Sequence, residues 1–380
     1  MSKVRIVVLG VYICFTAVFL NFGINILPNY QLTIAFFYPF FFLLLGRFHL
    51  KTNYLKIYFF AILLPFFVGT VGFVSYLEFD LAHFLRTYSL YFHFCFGLLI
   101  INSIEIESKI IEGIQKAIVI ALIIIVVYTL LQVILSFYLG YPFLFNPFGK
   151  YLIGGESDTG RFVLDGRVRP TGFYWEPSTD AVVIFILINY LVIRNINKFK
   201  RYYIIQFIIQ FVINSTTGLF SSFLIFIFWI NSVTKKFVIV KLVIVFSIII
   251  SFIYFYIDRL SQIANGGSGF FRWAIPFTSF IDYVQKYPLG LPLGQLTVQL
   301  DNGLFVALIY TGVIGLIVLL TLLILFAKFM IKNKLTMETQ IFIISIMLIL
   351  FFNGAFLTPE MSFLICLITL AWKSTYVKAK

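Results

Sequence analysis

The chain has 380 residues, of which 61% are hydrophobic, 20% aromatic and only 11% charged, with 28 Lys and Arg against 15 Asp and Glu and a formal net charge of +13. Its mean hydropathy is +1.03. Soluble domains carry about a quarter charged residues, so this composition excludes a water-soluble globular protein and points to a polytopic membrane protein. About twelve spans of ~20 residues, the length that crosses a ~30 Å hydrocarbon core, would use roughly 240 residues and leave about 140 for loops and tails, so one integral membrane domain over 1–380 is expected, with no separate soluble domain.

A first apolar run at 4–22 follows Lys3 and Arg5. No small-x-small cleavage site follows it, so it is expected to stay attached as a signal anchor. Further apolar runs predict spans at 30–46, 56–76, 84–101, 117–138, 178–193, 202–214, 217–233, 237–257, 303–327, 339–355 and 361–373. The last two are open to a second reading, as a re-entrant pair joined by Asn353 to Glu360. The expected fold class is all-α, a polytopic bundle of about twelve transmembrane helices. Placing the N-terminus inside puts every Lys and Arg on the cytoplasmic side except Arg86, Lys150, Arg161, Arg167, Arg169, Arg259, Arg272 and Lys286, which is the bias that orients membrane proteins. Glu105, Glu107, Glu112 and Glu338 fall inside and the other acids outside or at the outer boundary, so both termini are expected in the cytoplasm. The basic residues are dispersed over short segments and form no nucleic-acid patch or motif. Cys14, Cys95 and Cys366 lie far apart in apolar stretches and show neither a disulfide framework nor a metal spacing.

Two connections exceed what a turn requires, and both face outward in this topology: loop A, 139–177, and loop B, 258–302. Long loops in compact bundles are usually functional or disordered. Loop A carries Glu156, Asp158, Arg161, Arg167 and Arg169 among glycines. Loop B carries Gly266, Gly267 and Gly269 ahead of Arg272, and successive backbone amides of that kind can form an anion-binding concavity. Both loops keep aromatic residues, which predicts packing against the bundle. Glu156 and Asp158 read either as a divalent-cation pair or as solvated loop acids; two carboxylates without further ligands bind poorly, so no metal is expected. His49 falls inside, His93 mid-span and His83 at an outer boundary, and no Walker A, dinucleotide or H-E-x-x-H pattern occurs. No cofactor is expected.

The densest polar segment runs from Arg169 to Ala181 and contains Gly172, Phe173, Tyr174, Trp175, Glu176, Pro177, Ser178, Thr179 and Asp180. Pro177 suits a first helical turn, so Glu176 and Asp180 are delivered to the outer end of the 178–193 span. Asp180 reads most simply as an acid stabilised by the helix dipole. Arg169 and Glu176 either pair with each other or line a wet cavity, because a charge at the membrane edge is otherwise costly. At the end of loop B, Asp301 and Asn302 read either as a helix cap or as site residues.

Arg169, Gly172, Glu176-Pro177-Ser178 and Ala181 before a span, Arg272 in a later outer loop, and Asp301-Asn302-Gly303-Leu304 followed by Gly312 and Gly315 make an ordered pattern. This pattern resembles the O-antigen polymerase (Wzy) and O-antigen ligase superfamily of membrane glycosyltransferases. The polar turn Asn214 to Leu219 is a further likeness. The resemblance implies a GT-C-like enzyme of the bacterial inner membrane with its active site facing the periplasm. It would transfer a growing glycan from undecaprenyl pyrophosphate to a new lipid-linked repeat unit. The implied partners are the lipid-linked oligosaccharide donor and acceptor and membrane lipids, with a chain-length regulator as a further candidate. Asp301-Asn302 stands where ligases have His-Asn, which favours polymerase over ligase. A lipid-linked oligosaccharide flippase is the alternative from another class, but it would place charges along a central path and show two related halves, and neither is visible.

Under that resemblance the transition state concentrates negative charge on a lipid pyrophosphate, and guanidinium groups suit its bidentate neutralisation. Arg169 and Arg272 are the leading candidates, with Arg167, Arg161 and Arg259 behind them. The attacking sugar hydroxyl needs a general base, and Asp301 or Glu176 can supply it, so these are the candidate catalytic residues. Trp175 and Asn302 are candidate sugar contacts. Direct displacement would invert the anomeric centre.

Overall fold

The computed structural model describes residues 2–27, 30–50, 52–76, 79–139, 163–164, 167–168, 170–174, 176–199, 201–213, 215, 217–218, 220–222, 270–298, 300–332, 336–352 and 356–376. In chain order the elements are α1 (Ser2–Val18), β1 (Gly23–Leu27), β2 (Tyr30–Thr33), α2 (Tyr38–Phe42), β3 (Gly46–Phe48), α3 (Thr52–Tyr76), α4 (Leu81–Ser103), β4 (Ile104–Ile106) and α5 (Ser108–Leu139). They continue with β5 (Val163–Leu164), β6 (Arg167–Val168), α6 (Pro177–Arg194), α7 (Ile196–Phe199), α8 (Tyr202–Ile213), α9 (Ile275–Lys286), α10 (Gly303–Lys332), α11 (Met337–Phe352) and α12 (Pro359–Tyr376). A π turn, Phe270–Ala274, precedes α9. The strands form three small antiparallel pairs, β1 with β2, β3 with β4 and β5 with β6.

Four described helices are long and apolar enough to cross a membrane: Thr52–Ser75, Leu81–Ser103, Ser108–Ser136 and Pro177–Arg194. Ile34–Leu45, Tyr202–Ile213, Gly303–Ile317 and Met337–Phe351 are apolar but shorter. The protein is therefore a helical membrane protein. The expected span 237–257 and most of 217–233 lie outside the described residues. The expected span 30–46 differs from the structure: β2, a 3-10 turn, α2 and a second 3-10 turn replace one helix. Pro39 sits at the start of α2, and Gly46 ends the stretch in extended backbone, so the continuous ladder a span needs is interrupted at both places. Part of loop B also differs, because 275–286 forms α9, whose Phe277 and Phe280 rings meet Phe305 of α10.

α6 is the pillar of the bundle. Every residue from Thr179 to Ile193 is buried, as in a helix apolar all round and enclosed by protein. It packs against α5, α8, α11 and α12. Lipid removes most of the hydrophobic drive for helix association, so close packing and interhelical hydrogen bonds hold such a core. Asn189 supplies two of them mid-helix, donating to Ser345 Oγ of α11 at 2.8 Å and accepting from Tyr203 of α8 at 3.3 Å.

One end of the bundle is fastened by basic side chains. Arg5 pairs with Glu107 at 3.1 Å and donates to Leu44 O, β3 pairs with β4 through Arg47 opposite Glu105, and Arg194 donates to Ser374 and Thr375. Lys373 caps the carbonyls of Ile101, Asn102 and Ile104 at 2.6 to 3.0 Å. The opposite end, where α6 begins, carries the polar segments read above as outward-facing. There the 288–294 segment docks on α10 by Leu291 N to Ile309 O and Val313 N to Pro288 O, both 3.0 Å. That docking uses a break in α10 at Gly312, whose φ of 59° and ψ of −150° are non-helical.

Candidate functional site

The site is built around the first turn of α6. Glu176 is the N-cap in extended geometry, with φ −145° and ψ 153°, and Pro177 opens the helix. The Glu176 carboxylate is half-buried and accepts a short hydrogen bond from Ser178 Oγ instead of capping the helix. Ahead of it the chain turns through 171–174, closed by Tyr174 N to Thr171 O at 3.1 Å. Gly172 occupies the left-handed region at φ +60°. A Cβ there would be strained, and it would lie only 2.8 to 3.0 Å from the carboxyl atoms of Asp180.

Two residues of α5 hold this turn. Gln132 accepts from Thr171 N at 3.2 Å and Gly172 N at 2.8 Å, and donates to Gly172 O at 3.0 Å. Thr129, one turn earlier, meets Asp180 Oδ2 at 2.9 Å. Tyr174 is fully buried and donates to Ala17 O near the end of α1 at 2.7 Å. Burial pushes its phenol well above the ordinary tyrosine range, which keeps it a donor.

The other wall comes from α8 and from Thr217 and Gly218. Gln210 donates to Ala181 O at 2.9 Å. Gly218 presses on both partners: a Cβ there would collide with Gln210 Oε1 and lie 3.1 Å from Ala181 Cβ. Beside Gly218, the buried Thr217 accepts a hydrogen bond from Arg272 Nη1 at 3.3 Å. Arg272 is 8% exposed, and its Nε has no hydrogen-bond partner among the described residues. Its backbone carbonyl accepts from Asn302 Nδ2 at 3.2 Å, while Asn302 Oδ1 accepts from Phe305 N at 3.3 Å and so caps α10. Asp301 is half-buried next to it, and no described residue bonds its carboxylate.

The structure thus links Glu176, Arg272 and Asn302 through the first turn of α6, Gly218 and Thr217, with Asp301 beside Asn302 in the chain. Arg161, Arg169, Arg259 and Trp175 lie outside the described residues, as do Glu156 and Asp158. Arg167 places its backbone in β6. Asp180, expected as a dipole-stabilised acid, is fully buried and faces Gly172. Thr129, Gln132 and Gln210 were not anticipated as site residues. The signal for them was polar side chains inside otherwise apolar spans, which face protein or a wet cavity as a rule. Among the described residues no three His, Cys, Asp or Glu side chains gather into a metal centre. The arrangement offers a buried positive charge, two partly exposed carboxylates and a fixed backbone turn at one end of the bundle.

No curated protein and no solved structure matches the chain. Residues 7–374, nearly the whole chain, match the WcaD colanic acid polymerase family. The protein therefore belongs to that family, one of the Wzy-type polysaccharide polymerases, and is a membrane protein with glycosyltransferase-type polymerase activity.

Proposed function

We propose that the protein polymerises undecaprenyl-pyrophosphate-linked repeat units on the outer face of the cytoplasmic membrane, with Arg272 binding the pyrophosphate and Glu176 or Asp301 acting as base. One observation carries this reading. The Arg272 guanidinium is buried, and its one hydrogen bond among the described residues goes to the neutral Thr217. A guanidinium has five donors, and a buried cation is costly unless it is paired. An anion arriving from outside the chain supplies the missing partner, and a diphosphate ester matches the fork geometry of the group.

In the reaction, a hydroxyl of the incoming lipid-linked repeat unit attacks the anomeric carbon of the growing glycan. The new glycosidic C–O bond forms as the bond from that carbon to the phosphate oxygen breaks. The hydroxyl proton passes to the carboxylate, and undecaprenyl pyrophosphate leaves with its charge held by arginine. Inversion at the anomeric carbon follows from a single displacement. The polar end at the start of α6 faces outward in this reading, and the end fastened by Arg5, Arg194 and Lys373 faces the cytoplasm, in keeping with the positive-inside bias. Arg169, Arg167 and Arg161 join Arg272 at the pyrophosphate, and Trp175 contacts sugar, whereas Asn302, expected as a sugar contact, is fully buried with both amide ends bonded and positions Arg272 instead; neither metal nor cofactor takes part.

Deleting the gene in its host tests the reading. Surface glycan reduced to a single repeat unit is the expected result. Unchanged polymer would overturn it, and loss of all glycan would point instead to translocation or ligation.

A further inference from the structure

Asp180 is the one carboxyl of α6 and is 0% exposed. Its hydrogen-bond surroundings define its charge. Thr129 Oγ1 lies 2.9 Å from Ile125 O and 2.9 Å from Asp180 Oδ2. A threonine hydroxyl has a single proton, and in a helix interior it habitually returns that proton to the carbonyl four residues back. Both contacts are hydrogen bonds at once only if Asp180 supplies the second proton. The other oxygen gives the same answer: Oδ1 is buried and has no donor among the described residues. An ionised carboxylate in that position is heavily penalised, whereas the carbonyl oxygen of a neutral acid is tolerated at far lower cost. No Lys, Arg or His side chain among the described residues bonds it.

We infer that Asp180 is a neutral carboxylic acid that acts as a positioning residue, donating to Thr129 and seating the turn that delivers Glu176. Its carboxyl plane lies flat against Gly172, where any Cβ would fall within 2.8 to 3.0 Å of it. Gln132, on the same face of α5 as Thr129, grips Thr171 N, Gly172 N and Gly172 O. The turn is therefore located from two helices together, and four residues later the chain reaches Glu176. Asp180 takes no proton from substrate, because its own proton is committed to Thr129 and its surface is closed. The inference rests on the proposed reaction only for the consequence, namely that a displaced turn misplaces Glu176; the protonation state stands without it.

Infrared difference spectroscopy of the protein in nanodiscs at neutral pH tests the state directly. Wild type minus Asp180→Asn is expected to show the carbonyl stretch of a protonated carboxylic acid, separated by the subtraction from Glu360, the other buried carboxyl among the described residues. Thr129→Val is expected to move that band to higher frequency as its hydrogen bond is lost. In the polymerisation assay, Asp180→Asn, which keeps a donor in the same place, is expected to retain kcat within about threefold. Asp180→Ala should lose at least tenfold in kcat with KM little changed. No acid band assignable to Asp180, or Asp180→Asn as inactive as Asp180→Ala, would overturn the inference. Wild-type protein that carries the band but makes no polymer would leave the seat intact and count against the proposed reaction instead.

Discussion

Asn302 bonds Arg272 and its own helix at once: Nδ2 donates to the Arg272 carbonyl at 3.2 Å, and Oδ1 accepts the Phe305 amide at 3.3 Å. The two contacts separate by substitution. Ser is an equally good N-cap but has no amide to donate to the Arg272 carbonyl. Asn302→Ser is expected to keep the melting temperature of the detergent-solubilised protein near wild type while polymerisation falls several-fold. Asn302→Ala should lose both, with a cap cost of about 1 kcal/mol.

Thr217 is the hydrogen-bond acceptor that the described structure gives the Arg272 guanidinium. Thr217→Val keeps the volume and removes the acceptor. A net hydrogen bond of about 1 kcal/mol corresponds to roughly a fivefold change. The expected effect is a rise of about that size in KM for the lipid-linked donor, read by titrating it against a fixed acceptor concentration. An unchanged KM would mean that Thr217 does not orient the guanidinium.

Glu176 and Asp301 compete for the role of base. Both are half-buried, and Glu176 carries the Ser178 hydrogen bond that orients its carboxylate. General-base help is worth about 10²- to 10⁴-fold, so removing the true base should cost that factor in kcat. Glu176→Gln and Asp301→Asn, compared under saturating substrate, are expected to differ by at least tenfold. Equal and small losses in both would assign the base elsewhere.

Gly172 should tolerate no side chain. Its φ of +60° is unfavourable for an L residue, and the Asp180 carboxyl occupies the space a Cβ needs. Gly172→Ala is expected to destabilise the protein by more than about 1 kcal/mol, visible as a lowered melting temperature. Gly10→Ala, whose Cβ would meet Ala117 Cβ at 3.6 Å and Gly113 O at 3.9 Å in ordinary contact, serves as a reference that leaves the 171–174 turn untouched.

Much of the bundle was legible because the spans at α3, α4, α5 and α6 are long, apolar and bounded by charge. The start of α6 was legible at Pro177, and the cap at Asn302 followed from its place before an apolar run. The broken stretch 30–46 was not, because hydropathy counts Pro39 and Gly46 as mild residues and ignores what they do to a backbone ladder. α9 was hidden in loop B because its apolar face is narrow and its partner, Phe305, comes later in the chain. Thr129 and Gln132 were hidden for a related reason. Their partners lie some 40 to 50 positions further on, and nothing local to α5 says that its polar residues face the first turn of α6. Arg272 was legible as a residue type, but its burial against Thr217 depends on the packing of the neighbouring Gly218 against Ala181.

The most direct test of the account is polymerisation by the purified protein in nanodiscs supplied only with undecaprenyl-pyrophosphate repeat units, with wild type and Arg272→Ala run side by side on a ladder gel. Wild type is expected to build a ladder. Arg272→Ala, folded by melting temperature, is expected to lose at least about a hundredfold in rate, the cost of removing one transition-state donor. A ladder of equal length and rate from Arg272→Ala would contradict the claim that this buried guanidinium receives the pyrophosphate.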